Sequence, residues 1–306
     1  MGENHCYQGY VVNFPMVKNI LFPAIILLHL LYSCGEVAVP DGRDQYALDI
    51  GDCLLETGPS TFEIVTWNVR DFPLLGEATI IALADIISRA DPDLIAFQEI
   101  VTEEDLKSLI NLLPGWQAVF RMVSDLNPAF LYKTSEVTLI GQPVFLFTDE
   151  SEAFPRPPLL ISVEHHSGIR MFLINIHLKC CSGSENESRR RTAGILLKSF
   201  VDEKLPSEKV LILGDFNDEI DTALPLNVFY DFLTDSLNYR FLDMGIARGN
   251  PELWSYPLWP SHIDHFLATN ELAGVEPVME VLAFDRCDTT YFTMISDHRP
   301  MMLRIK

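Results

Sequence analysis

The sequence predicts an α/β fold of the mixed (α+β) kind, with two β-sheets packed face to face and helices outside them. Three observations lead there. Short runs rich in β-branched, aromatic and aliphatic residues recur along the chain and read as buried strands. Some runs are separated by helical stretches and others only by turns, so parallel and antiparallel pairing both occur. The chain has 306 residues, 48% of them hydrophobic and 21% charged, which suits one large domain or two small ones rather than a disordered chain.

The elements follow in order. Residues 61–67 alternate well enough for a strand. Residues 77–89 carry Ile80, Leu83, Ala84 and Ile87 at helical spacing and stop before Asp91-Pro92. Residues 93–98 are a buried strand, and 103–113 a short amphipathic helix closed by Pro114-Gly115. Strands are expected at 116–122, 128–133 and 137–147. Residues 159–164 and 169–178 make a hairpin with Ser167-Gly168 near its turn. Residues 186–200 are helical, with Arg189, Arg190 and Arg191 at the start. Strands at 210–213, 264–267, 280–283 and 301–305 complete the set.

The ends of the chain and its charge set the context. Ile20 to Tyr32 is almost wholly apolar, follows Lys18 and precedes Ser33-Cys34-Gly35. It is too short for a spanning helix and contains Pro23, so it reads as a lipoprotein-like signal segment over 1–34, with Cys34 the residue to be lipidated. Export to the bacterial cell envelope is therefore expected. Residues 35–60 hold Gly, Pro and Asp with little periodicity and read as a linker, so the folded domain is expected over 61–306. Cys53, Cys180, Cys181 and Cys287 remain for disulfides, which allows three pairings, a vicinal Cys180–Cys181 bridge among them. No CxxC spacing supports a zinc site. The net charge of −21 opposes a basic-groove DNA binder, although bound cations can gather positive potential locally.

Six short polar motifs stand at the ends of the strand-like runs: Trp67-Asn68, Gln98-Glu99, Asn175-Ile176-His177, Gly214-Asp215-Phe216-Asn217, Ile263-Asp264-His265 and Ser296-Asp297-His298. A polar group at a strand end is held rigidly at the rim of its sheet, so several can meet in one pocket. Glu99 leaves a strand that is apolar on both faces, a costly place for a carboxylate without a cation beside it. Asn68 can offer its amide oxygen to a metal, and Asp297 is a further ligand candidate. Asp215 and Asn217 are two residues apart, suited to gripping one water or one phosphate oxygen. His298, oriented by Asp264, is the candidate base, and His177 a second imidazole for acid or phosphoryl contacts. Arg156, in the stiff Phe154-Pro155-Arg156-Pro157-Pro158 segment, can clamp a phosphate. His165, His166, His262 and His265 lack such settings and are expected at the surface or in support. Each motif alone has an ordinary reading as a turn or a surface residue. Their ordered coincidence carries the argument.

On these motifs the chain resembles the endonuclease/exonuclease/phosphatase superfamily, the group of DNase I-like nucleases, abasic-site endonucleases, sphingomyelinases and inositol polyphosphate phosphatases. The resemblance covers about 61–306. It implies a four-layer sandwich and phosphoester hydrolysis with Mg²⁺, Mn²⁺ or Ca²⁺. By matching motif it implies metal contacts from Asn68, Glu99 and Asp297, and catalytic roles for His177, Asp215, Asn217, Asp264 and His298. Two departures stand out. DNase I-like nucleases carry a glutamate upstream of the strand matching 129–132, where this chain offers only Asp125, and no cysteine follows the GDFN motif until Cys287. The function expected is an exported, metal-dependent phosphodiesterase, first a DNase I-like endonuclease acting on DNA as a monomer. The alternatives are a sphingomyelinase-type phospholipid phosphodiesterase or a phosphatase on the same fold. A non-catalytic adhesin is disfavoured by the intact motif set.

Overall fold

The computed structural model describes residues 43–54, 61–272 and 277–306. The signal segment with Cys34 and most of the linker expectation lie outside the described residues. No helix among those described is long and apolar enough to cross a membrane.

Among the described residues, twelve strands form two six-stranded sheets. The first holds β1 (Phe62–Phe72), β2 (Leu94–Ile100), β3 (Trp116–Val119), β4 (Asn127–Lys133), β11 (Val278–Val281) and β12 (Met301–Ile305), in the order β11-β12-β1-β2-β4-β3. The second holds β5 (Val137–Phe145), β6 (Leu159–His165), β7 (Arg170–His177), β8 (Val210–Asp215), β9 (Tyr239–Phe241) and β10 (Asp264–Thr269), in the order β5-β6-β7-β8-β10-β9. Each sheet is mixed: β1–β2 and β7–β8 are parallel, and the other pairs are antiparallel. The predicted strands are all present, with β3 ending at Val119 and β11 shifted two residues toward the N-terminus.

The four layers follow from strand alternation. Inner-face residues such as Phe62, Ile64, Leu94, Phe130, Leu173, Leu211, Leu213, Phe266 and Leu303 form the core between the sheets. The opposite face of the first sheet offers Val65, Trp67, Ile95 and Phe97 to α1 (Glu77–Ala90) and α2 (Glu103–Asn111). The opposite face of the second sheet, with Ile174, Ile176 and Ile212, packs on α3 (Ser184–Lys204) and α4 (Tyr230–Thr234). Short helices α5 (Met244–Ala247) and α6 (Tyr291–Met294) sit in the connections and lack the length to leave a periodic signal.

Part of the expected linker belongs to the domain. Two 3-10 turns, Arg43–Tyr46 and Gly51–Cys53, flank Leu48 and Ile50, which are buried in the α1 layer. Cys53 is disulfide-bonded to Cys287 across a sequence separation of 234. The folded unit therefore begins before Thr61, because two apolar side chains and one bridge hold this stretch down without any periodicity.

Candidate active site

Strand parity brings the predicted residues together. Counting alternate positions along β1, the inner face reads Phe62, Ile64, Thr66 and then Asn68. Along β7 it reads Leu173, Asn175 and His177, along β8 Leu211, Leu213 and Asp215, and along β10 it starts at Asp264. Each inner row changes from apolar to polar at the same end of the sandwich. Asp215 pairs in register with both His177 and Asp264. Beneath the site, Gln98 Nε2 donates to Asn175 Oδ1 (2.8 Å) and Asn175 Nδ2 donates to the carbonyls of Phe97 and Ala129, which ties one sheet to the other.

Two local irregularities complete the assembly. Alternation alone points Glu99 to the outer face. A bulge between Phe97 and Ile100 and a left-handed φ of 68° at Glu99 redirect it. Arg70, Asp71 and Asn217 also have positive φ, so strained backbone clusters at this end of the molecule. Gly214 is the second device. Its φ is 141°, and a Cβ there would lie 2.0 Å from the Ile176 carbonyl oxygen, so only glycine lets β8 approach β7 as closely as it does.

The resulting pocket, of about 520 Å³, is lined by Glu99, His177, Asp215, Asn217, Asp297 and His298, with Arg70, Tyr256, Cys180 and Cys181 among its other walls. Asn68 Nδ2 donates to Glu99 Oε1 (2.9 Å) and Asp215 Oδ2 (3.0 Å), so one amide joins carboxylates from different sheets. Its oxygen accepts from the Arg70 amide (3.0 Å) and is turned away from that pair. Glu99 Oε2 accepts from the Asp71 amide (2.8 Å). Asp215 Oδ1 accepts from the Asn217 amide (2.9 Å), and Asn217 Nδ2 donates to the Leu178 carbonyl. His298 Nδ1 bonds Asp264 Oδ2 at 2.8 Å, which leaves Nε2 facing Asp215 Oδ2 at 3.9 Å. His177 Nε2 faces Asp215 Oδ2 at 3.5 Å and Glu99 Oε1 at 3.8 Å. Its Nδ1 is buried without a hydrogen-bond partner among the described residues, and Asp125, the acid upstream of residues 129–132, is exposed. Asp297 lies 3.7 Å from Arg70. Arg156 does not line the pocket wall. It donates to the Leu178 carbonyl (2.8 Å) from a half-buried position.

Burial and charge set the protonation states. Burial raises Asp215 to about 7, with the Asp264 and Glu99 charges adding to the rise and His298 opposing it. Burial alone would lower His298, but Asp264, Asp215 and Asp297 together lift it to about 10. Burial, Arg156 and His298 push His177 well below the ordinary histidine range. The site therefore pairs a carboxyl that titrates near neutrality with an imidazolium and a neutral imidazole.

Several further residues, given no catalytic role in the sequence, support the site. Ser296 Oγ donates to the Asn68 carbonyl (2.6 Å) and accepts from the His298 amide, fastening the β12 approach to β1. Tyr291 donates to the His298 carbonyl and accepts from Trp67 Nε1. The Tyr256 ring stands 4.7 Å from His298. Buried Arg190 pairs with Asp218 and holds the Lys179 and Cys181 carbonyls. The histidines expected at the surface or in support divide between the two: His166 is exposed, whereas His165, His262 and His265 are buried. His265 donates to Asp243 and to the Asp218 carbonyl behind the GDFN turn, so both ring nitrogens carry protons and its pKa is raised despite burial.

The donor set suits a hard divalent cation. Glu99 and Asp297 present carboxylates to the pocket, Asp215 and Asp264 add buried carboxyl oxygens, and Asp264 Oδ1 is buried with no hydrogen-bond partner. Oxygen-rich, sulfur-free donors of this kind match magnesium, manganese or calcium.

A comparison with curated protein sequences returns no match. Among solved structures, TDP2 from D. rerio in complex with a single-strand DNA product superposes with a TM-score of 0.62 at 16% identity, covering 81% of this chain and 99% of that one. The human Nocturnin catalytic domain with bound sulfate gives 0.57 at 17%, covering 81% and 94%. An endonuclease/exonuclease/phosphatase family protein from Bacteroides thetaiotaomicron gives 0.56 at 15%, covering 81% and 98%. At these identities the likeness is one of fold. The sequence model of the Endonuclease/Exonuclease/phosphatase family matches residues 65–298, from within β1 to His298, and this chain belongs to that family.

Proposed function

We propose that the protein is a divalent-metal-dependent phosphodiesterase whose first substrate class is DNA. The observation that carries this reading is the convergence of Glu99, Asp215 and the Asp264–His298 pair, from both sheets, on one pocket. Glu99 and Asp297 would hold Mg²⁺, Mn²⁺ or Ca²⁺, which when bound supplies charge neutralisation to the phosphoryl and leaving oxygens. Asp215, titrating near 7, takes the proton of the attacking water. Asn68 and the Asn217 amide fix its carboxylate orientation. His298, which its motif marks as the candidate base, is kept cationic by Asp264 and instead donates from Nε2 to a non-bridging phosphoryl oxygen. Neutral His177 offers a second donor on the opposite wall.

DNA is favoured because the D. rerio protein of like fold was crystallised with a single-strand DNA product. We further propose that the protein acts as a monomer, since every group named above comes from one chain. We also propose that it is exported and tethered through a lipidated Cys34. The Cys53–Cys287 bridge supports export, because disulfides persist in oxidising compartments. The test is cleavage of plasmid and single-stranded DNA by the purified domain with Mg²⁺, with and without chelator. Absence of cleavage with any of the three metals across neutral and alkaline pH contradicts the nuclease reading.

One observation favours a second substrate. The loop whose Tyr256 and Ser261 line the pocket presents Leu258 and Trp259 to solvent, Trp259 at 74% exposure. An apolar tip beside the site suits a phospholipid in a membrane surface. Choline-phosphate release from sphingomyelin liposomes, without cleavage of DNA, would establish it.

A further inference from the structure

Neighbouring side chains on an extended chain point to opposite sides. Cys180 and Cys181 do not. A left-handed φ of 79° at Cys181 turns the chain, and the two sulfurs stand 2.7 Å apart, inside ordinary van der Waals contact. Both line the pocket, and Cys181 is exposed, so a soluble oxidant reaches it. Among the described residues neither has another cysteine to pair with, because Cys53 and Cys287 are bonded to each other.

The backbone around them is clamped to the site. The Leu178 carbonyl accepts from Arg156 and Asn217, and the Lys179 and Cys181 carbonyls accept from Arg190. Arg190 also holds Asp218, next to Asn217. Any change in this loop therefore reaches the turn that orients Asp215.

We propose that Cys180 and Cys181 form a reversible dithiol–disulfide pair on the pocket wall, and that its redox state changes hydrolysis at the adjoining site. The second half rests on the hydrolase reading, and the first does not. The oxidant is a disulfide of the glutathione or thiol–disulfide oxidoreductase class. One cysteine thiolate attacks it, forming a mixed disulfide and releasing one thiolate. The neighbouring cysteine thiolate then attacks the cysteine sulfur of that mixed disulfide, forming the Cys180–Cys181 bond and releasing the oxidant's second thiolate. Two electrons pass from the cysteine pair to the oxidant, which leaves as two thiols. Adjacent Cα atoms lie about 3.8 Å apart across a trans peptide. Relaxed disulfides span roughly 4.4–6.8 Å. A vicinal bridge is thus strained and easily reduced, whereas the Cα atoms of Cys53 and Cys287 are 6.1 Å apart, within that range.

The experiment incubates the full chain in glutathione buffers of graded redox poise, alkylates the free thiols and reads the cysteine peptides by mass. The expected result is loss of two hydrogens from the peptide holding both cysteines, reversed by reduced glutathione while Cys53–Cys287 stays intact. Cys181→Ser abolishes that loss and leaves a glutathione adduct on Cys180. Turnover of bis(p-nitrophenyl) phosphate is expected to differ about tenfold between the two forms, as displaced positioning groups would cause. Two alkylated cysteines at every poise, or a bridge to Cys53 or Cys287, overturns the pair. Equal turnover in both forms overturns its coupling to hydrolysis. If neither form turns over any diester, the hydrolase reading and the coupling fall together, and the mass readout still decides the pair.

Discussion

Asp215 concentrates the chemistry of the site at the level of single residues. It is about 1% exposed, lies beside Glu99 and Asp264, and is joined to Glu99 through the Asn68 amide. Its folded value of about 7 stands above its ordinary 3.8, so the folded protein favours the protonated form. That contribution to stability is fully present below pH 3.8 and is lost as pH rises through 7. With chelator present, wild type is expected to lose stability across this window, on the order of 4 kcal/mol at most. Asp215→Asn should not show that loss, and urea midpoints measured across the window check it. The same substitution is expected to abolish hydrolysis. His298→Ala is expected to lower kcat by roughly 10²–10⁴-fold, the range for a positioned proton donor or acceptor, and to lower Tm as well, because the buried Asp264 carboxylate loses its partner. A His298→Ala enzyme with wild-type kcat would remove His298 from the mechanism.

Strand geometry decides which residues reach the pocket. The apolar runs made the strands legible, and the polar residue closing each run made most of the site legible. Two features escaped. Glu99 faces the pocket only through a bulge, and no residue pattern in Phe97-Gln98-Glu99 announces its positive φ. Asn68 stands at the predicted strand end, yet its amide nitrogen rather than its oxygen meets the carboxylates, a choice made by the Arg70 amide two residues on. Gly214→Ala tests the strand-exit argument. Its Cβ would meet backbone, which cannot rotate away, so the variant is expected to lose roughly 3 kcal/mol or more or fail to accumulate. A Tm within about 2 °C of wild type would contradict the close approach of β7 and β8.

The start of the domain belongs to the same scale. Leu48, Ile50 and Cys53 were hidden among Gly, Pro and Asp, and a partner 234 residues away leaves no local trace. Protein beginning at Thr61 loses two buried side chains, at about 1.5–3 kcal/mol each. It also loses a bridge of roughly 2–4 kcal/mol. Thermal melts are therefore expected to place it well below protein beginning near Gly35. Equal melting temperatures would return 43–54 to the status of a tether.

The whole molecule is a strongly acidic body with a cation-seeking pocket between two sheets. A net charge of −21 repels a polyanion over a Debye length of about 10 Å at 0.1 M salt. Raising salt from low to moderate levels is thus expected to lower KM for plasmid DNA, opposite to the trend for a basic nuclease, while KM for a small diester changes little. A KM for DNA that climbs steadily with salt would point to a basic track along the surface. Fold class and layer order were legible because both sheets are mixed and each has a clear apolar inner row. The acidic total, by itself, pointed away from nucleic acid, and only the local arrangement of Glu99, Asp215, Asp264 and His298 restored a phosphodiester reading.

The most direct measurement is hydrolysis of bis(p-nitrophenyl) phosphate by metal-stripped protein during back-titration with Mg²⁺ and Mn²⁺, for wild type and Asp215→Asn in parallel. Saturable activity in wild type that returns only with metal, and none in a folded Asp215→Asn protein, is the predicted result. Hydrolysis that persists in chelator, or survives the substitution, would contradict a metal-dependent site assembled from the strand ends of both sheets.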